Sequence, residues 1–110
     1  MNFQGIQLTL LDWTGAVPET HPGETGTADW RTFELGEIRV RIVEYSENYF
    51  ADHWCSRGHV LQVLEGDLTI RLRDSREYRL GAGNGICLPE GAERAHLASS
   101  EGGARVLIID

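Results

Sequence analysis

From Gly36 onward the chain falls into short runs in which apolar and polar residues alternate, separated by turn signals at a spacing of roughly 8–12 residues. In LTIRLRD, Leu68, Ile70 and Leu72 alternate with Thr69, Arg71 and Arg73. A period of two places successive side chains on opposite faces, the pattern of a half-buried strand. GEIRVRIVEY (36–45) sets β-branched residues in alternation with arginines, and ARVLIID ends the chain on a nearly continuous apolar run. Asp74-Ser75 reads as a turn, GAGNG (81–85) as a loop, and ICLP as a short strand stopped by Pro89. Helix signals are weak throughout. The reading is all-β, a sandwich or barrel.

A chain of 110 residues is expected to form one domain. Residues 1–35 are expected to supply N-terminal strands and a loop arm packing on the barrel or on a partner, and 36–110 the barrel itself. Within the first part, TGAVPETHPGETGTAD (14–29) has prolines, glycines and no hydrophobic period, so it reads as a loop or arm. Ten Lys+Arg against seventeen Asp+Glu give a net charge of −7, and all ten basic residues are arginine. That balance argues against nucleic acid and anionic membrane surfaces, which need a basic patch. No apolar run approaches the roughly 20 residues that cross a bilayer. The N-terminus has no basic region followed by an apolar one, so a cytoplasmic protein is expected. Two cysteines make no disulfide framework, and both are expected as thiols.

Ligand-type side chains crowd into ADHWCSRGHVLQVLEG (51–66). His53 and Cys55 are two apart and on a strand would face the same way. Gly58 can supply a turn, His59 then starts the next strand, and Gly66 ends it. The spacing is His-x-Cys-x3-His-x6-Gly, followed downstream by Gly83-x5-Pro89-x-Gly91 and then His96.

This spacing resembles the two motifs of the cupin family, Gly-x5-His-x-His-x3/4-Glu-x6-Gly and Gly-x5-Pro-x-Gly-x2-His-x3-Asn. The first falls on His53, on Cys55 in place of the second histidine, on His59 in place of the glutamate, and on Gly66. The second falls on Gly83, Pro89 and Gly91. The glycine expected at position 47 is Glu47, and the histidine expected at 94 is Arg94, with His96 two residues on. A slip of two keeps the strand face, so His96 can point inward, with Arg94 beside it. ADHWCSRGH with the terminal LIID is more closely similar to small single-domain cupins marked by an Asp-His-(Trp/Cys), or DHCW, signature. The resemblance spans about 39–110 and implies a cupin-type (RmlC-like) antiparallel β-barrel, the double-stranded β-helix or jelly roll. It implies less about function, because cupins include dioxygenases, isomerases, storage proteins, sensors and sugar binders.

The resemblance further implies a metal site inside the barrel, with His53, Cys55, His59 and His96 as its ligands. The family's usual set, three imidazoles and a carboxylate, carries −1; three imidazoles and a thiolate carry the same. Thiolate with imidazole suits Zn²⁺, Cu or Fe better than Mg²⁺, Ca²⁺ or Mn²⁺. One divalent transition metal (Zn, Fe or Ni) is expected. A closed His3Cys set would be a structural type of zinc site. Three histidines alone would leave a position open, as in the iron centres of thiol dioxygenases, which are also cupins. Against these stand a metal-free polar pocket, Cys55 as a small buried hydrophobe, and Cys55 as a nucleophile activated by His59.

Trp54 alternates with His53 and Cys55 and is expected to face away, into the core or a dimer interface. Arg41, Tyr45 and Tyr49 could line the pocket, with packing and solvation as the plainer reading. Asp52 is expected at the surface, His21 solvated in its loop, and Cys87 packed. Three functions stay open: a metal-dependent enzyme on a small molecule, a metal- or ligand-binding module, and a metal-free sugar-type binder. A small-molecule ligand or substrate is the expected partner, and a homodimer is expected by analogy and because edge strands need cover.

Overall fold

The computed structural model describes residues 3–110, and the fold is built from strands. β1 (Glu19–Pro22) and β2 (Thr27–Leu35) form a hairpin, and β2 continues through a turn at Gly36 into β3 (Ile38–Tyr45). β4 is Tyr49–Phe50, and β5 is the long strand His59–Leu72. β6 (Glu77–Gly81), β7 (Gly85–Leu88), β8 (His96–Ser100) and β9 (Ala104–Ile109) follow, with one 3-10 turn at Ala92–Arg94 before β8. All named pairings are antiparallel. The order is β1-β2-β3-β9-β5-β8-β4, with β6 and β7 also on β5. The sheet curls until the β1–β2 turn meets β4 through a bridge between Thr25 and Phe50.

β5 organises the barrel. Its first half pairs with β7 and β9, and its second half with β6 and β8. Gly66 was expected to end a strand; instead the strand runs through it and changes sheet there. A register shift between Val63 and Glu65 inserts an extra residue. The buried positions accordingly switch from odd (Leu61, Val63) to even (Leu68, Ile70). Gly66 turns the corner at φ 78°, where an added Cβ would stand 2.1 Å from the Gly103 carbonyl oxygen. Only glycine lets the two backbones approach that closely.

The core fills the space between the two halves of β5 and its neighbours: Val43 of β3, Leu61, Val63, Leu68 and Ile70 of β5, and Val106 of β9 are at most 2% exposed. Each large aliphatic side chain buried this way is worth about 1.5–3 kcal/mol of transfer free energy.

The segment 14–29 is not only a loop. β1 and the first residues of β2 lie in it, and the turn between them is held on β4 by hydrogen bonds from Glu24 N to Phe50 O and from Phe50 N to Thr25 O. Its hydrophobic period is missing because β1 is an edge strand, exposed along most of its length. Gly23 and Gly26 pass so close to Phe50 and Tyr49 that a Cβ would meet them within 3 Å.

Candidate metal centre

Three elements deliver the candidate ligands. Residues 51–58 form no regular strand, contrary to the expectation that His53 and Cys55 share one. Cys55 is nevertheless fixed, because it exchanges both backbone hydrogen bonds with His96: Cys55 N to His96 O and His96 N to Cys55 O, each 2.9 Å. Residues paired in this way present their side chains to the same face. His96 opens β8 and His59 opens β5, opposite Leu88 of β7. The result is a group in which one ligand atom each of Cys55, His59 and His96 lies within 4.8 Å of the others.

The two histidines are buried, and their rings meet edge to face with centroids 4.9 Å apart. Nδ1 of both is buried with no hydrogen-bond partner. A buried polar nitrogen without a partner costs about 1–3 kcal/mol, a cost that coordination through that atom would remove. Burial, then His96 and Arg41, push His59 down to about 4, and burial lowers His96 as well. Both rings are neutral at pH 7, the state in which imidazole binds a metal.

The donor set fits one transition metal. Bonds of about 2.0–2.3 Å put tetrahedral donors about 3.3–3.8 Å apart, so the group has to close by roughly 1 Å at its widest pair. Side-chain rotation can supply that. Three protein donors leave the fourth position of such a site to another ligand.

His53 stands outside the group. It lines the same cavity from the rim with its side chain 74% exposed, and its Nδ1 is 2.6 Å from Asp52 Oδ1. That hydrogen bond holds the Asp52 carboxyl below the usual carboxylate range. Asp52 is at the surface as expected, but it is occupied with His53. Arg94 is exposed on the 3-10 turn, and it is His96 that faces the interior. Trp54 is half-buried beneath the Arg73 guanidinium and away from the cavity, as its alternation implied. Cys87, expected to be packed, is exposed, because β7 turns that face outward. His21 is not free in a loop: it lies on β1, half-buried, its ring 4.0 Å from that of Trp30 and its Nε2 3.1 Å from Glu19.

The cavity measures about 150 Å³. β3 supplies the charged wall of this cavity. Arg39, Arg41, Val43 and Tyr45 share its inward face, so the arginines of the alternation point toward the cavity, while Ile38 and Ile42 are buried on the other side, outside the main core cluster. Arg39 makes a two-bonded contact with Asp110, 3.0 Å from Nε to Oδ1 and 2.9 Å from Nη2 to Oδ2. Arg57 Nε reaches the same carboxylate at 3.0 Å and Arg41 at 3.5 Å. Burial would raise the Asp110 pKa, but the hydrogen bond from Arg39 and the charges of Arg41, Arg39 and Arg57 prevail and lower it.

This architecture recurs in solved structures. KdgF from a Halomonas species superposes with a TM-score of 0.75 at 15% identity, over 94% of this chain and 92% of that one. A sugar phosphate isomerase from a cupin superfamily of Silicibacter pomeroyi gives 0.69 at 15% identity, over 92% and 74%. A cupin-2 domain containing protein of Shewanella frigidimarina gives 0.60 at 24% identity, over 74% and 78%. The fold is that of a small cupin. By sequence, no family model and no curated protein matches this cupin barrel. At these identities the likeness carries the jelly roll and leaves chemistry to the site.

Proposed function

We propose that this chain is a metal-binding cupin whose Cys55, His59 and His96 hold one divalent transition metal of the Zn, Fe or Ni kind, with a fourth position open to a small molecule. The convergence of those three donors within 4.8 Å, with two buried Nδ1 atoms lacking partners, carries the reading. The cavity lies below the roughly 300 Å³ of ordinary ligand pockets, which favours a ligand of few atoms. The metal would act as a Lewis acid on that ligand or simply anchor it.

Mass spectrometry of the purified protein tests this. One equivalent of metal in wild type, reduced at least tenfold in affinity in His96→Ala and in Cys55→Ser, is the expected result. Metal-free protein from metal-replete cells would overturn it and favour a metal-free binder, for which Trp30, Tyr45 and Tyr49 offer aromatic walls. His53→Ala separates two forms of the site: a loss of affinity equal to that of His96→Ala means that His53 swings in to close a His3Cys set.

The partner we propose for the outer surface is a second copy of the chain. Leu8, Leu10 and Val17 stand almost wholly in solvent, in a segment that forms no strand within one copy. An extended segment with apolar residues at alternate positions is suited to lie along the edge strand of a partner.

A further inference from the structure

Beyond the metal, the same cavity holds a charge that its own chain does not balance. Three guanidinium groups, those of Arg39, Arg41 and Arg57, converge on the single side-chain carboxylate of Asp110. Arg39 is committed to it by two hydrogen bonds, and the half-exposed Arg57 touches it through Nε at 3.0 Å. Arg41 is not committed in this way. It is 5% exposed, its contact with Asp110 is the longest of the three, and its Nε is buried with no hydrogen-bond partner. The guanidinium carbon stacks 4.6 Å from the Trp30 ring centroid, which fixes the plane of the group and satisfies none of its N–H donors. A buried cation left short of partners is costly. The groups that face it across the cavity are Cys55, His59 and Tyr45, and none of them is a carboxylate.

We propose that this cavity binds a small organic monocarboxylate, with Arg41 as its anchor. The planar guanidinium matches a carboxylate in a two-bonded contact. A doubly charged phosphate would need more buried free donors than Arg41 alone offers, since Arg39 is held by Asp110 and Arg57 stands half in solvent. Leu61, Ile70, Ala98 and Ile108 give the remainder of the cavity apolar walls for a short carbon body, and about 150 Å³ limits its length. The site stands on Arg41 and needs no metal, so it can fail while the metal reading holds, and the reverse.

Calorimetric titration of the full-length chain with acetate, glycolate and lactate, each beside its neutral amide, and with inorganic phosphate, tests it, with and without a chelator. At least one carboxylate should bind tenfold or more tightly than its amide in both conditions. Arg41→Gln should reduce that preference below threefold, while Arg105→Gln, a change on the outer surface, should leave it intact. In wild type the Arg41 Nε–H resonance should shift on titration and that of Arg105 should not, which decides the anchor even if Arg41→Gln does not fold. Equal binding of acid and amide, binding lost with the chelator, phosphate binding as tightly as any carboxylate, or no saturable carboxylate binding would each overturn the proposal.

Discussion

Replacing Gly66 by alanine should damage the protein more than any other single added methyl at a positive-φ glycine. Two costs combine. A non-glycine residue at φ 78° pays about 1–2 kcal/mol for the left-handed backbone. The new Cβ would also sit 2.1 Å from Gly103 O and 2.9 Å from Ala104 Cα, so backbone must move, at about 1–3 kcal/mol by the scale of overpacked cores. The sum is about 2–5 kcal/mol. Gly83 is the control: its φ is 92°, but a Cβ there meets nothing within 4 Å, so Gly83→Ala should pay only the first cost. At roughly 4 °C per kcal/mol for a domain of this size, Gly66→Ala should lose about 8–20 °C in Tm and Gly83→Ala about 4–8 °C. Urea unfolding of the three proteins gives the same comparison free of scan-rate effects. Equal destabilisation by the two substitutions would refute the close approach of β5 and β9 as the reason for a glycine at this corner.

The remaining expectations concern charge and assembly. Because burial lowers the folded pKa of His59 to about 4, its contribution to the stability of the metal-free protein is complete above the unfolded value near 6.5 and is lost as pH falls toward 4; urea midpoints measured between pH 7 and 4.5 should fall less steeply in His59→Gln. Asp110→Asn leaves three guanidiniums without their shared carboxylate and should cost at least about 2 kcal/mol by urea unfolding. The lowered carboxyl makes the wild-type contribution one that persists above the unfolded carboxylate range and disappears on acidification below it. Light scattering coupled to gel filtration should find a dimer, and Leu8→Asp with Leu10→Asp should shift it toward monomer; an unchanged mass would remove the N-terminal segment from the interface.

Much of this was legible because spacing survives folding. The alternation of Leu68, Ile70 and Leu72, the turns at Asp74-Ser75 and 81–85, and the interval from Cys55 through His59 to His96 all carry into the structure. What was hidden depended on contacts between residues far apart in sequence. The inward face of β3 is set by Val43 packing in a core shared with Val106, and that parity sends Arg39 and Arg41 inside. Nothing in GEIRVRIVEY says which half of the alternation is interior. Asp110 takes its role from Arg39, 71 positions away. His53 was paired with Cys55 by a strand that does not form, because the single bridge to His96 fixes Cys55 alone.

The junction of the β1–β2 turn with β4 has a consequence for traffic. β2 and β3 are zipped over eight residue pairs, whereas the barrel's two ends meet through Thr25 and Phe50, with Glu24 adding one backbone bond and the Thr25 hydroxyl another. Tyr49, beside that junction, is part of the cavity wall. A closed sheet parts first where the fewest bonds must break, so amide exchange at Glu24 and Phe50 should outrun that at Val43. If the seam parts as this predicts, it would open the cavity beside Tyr49 while β3 and β5 keep their pairing with β9.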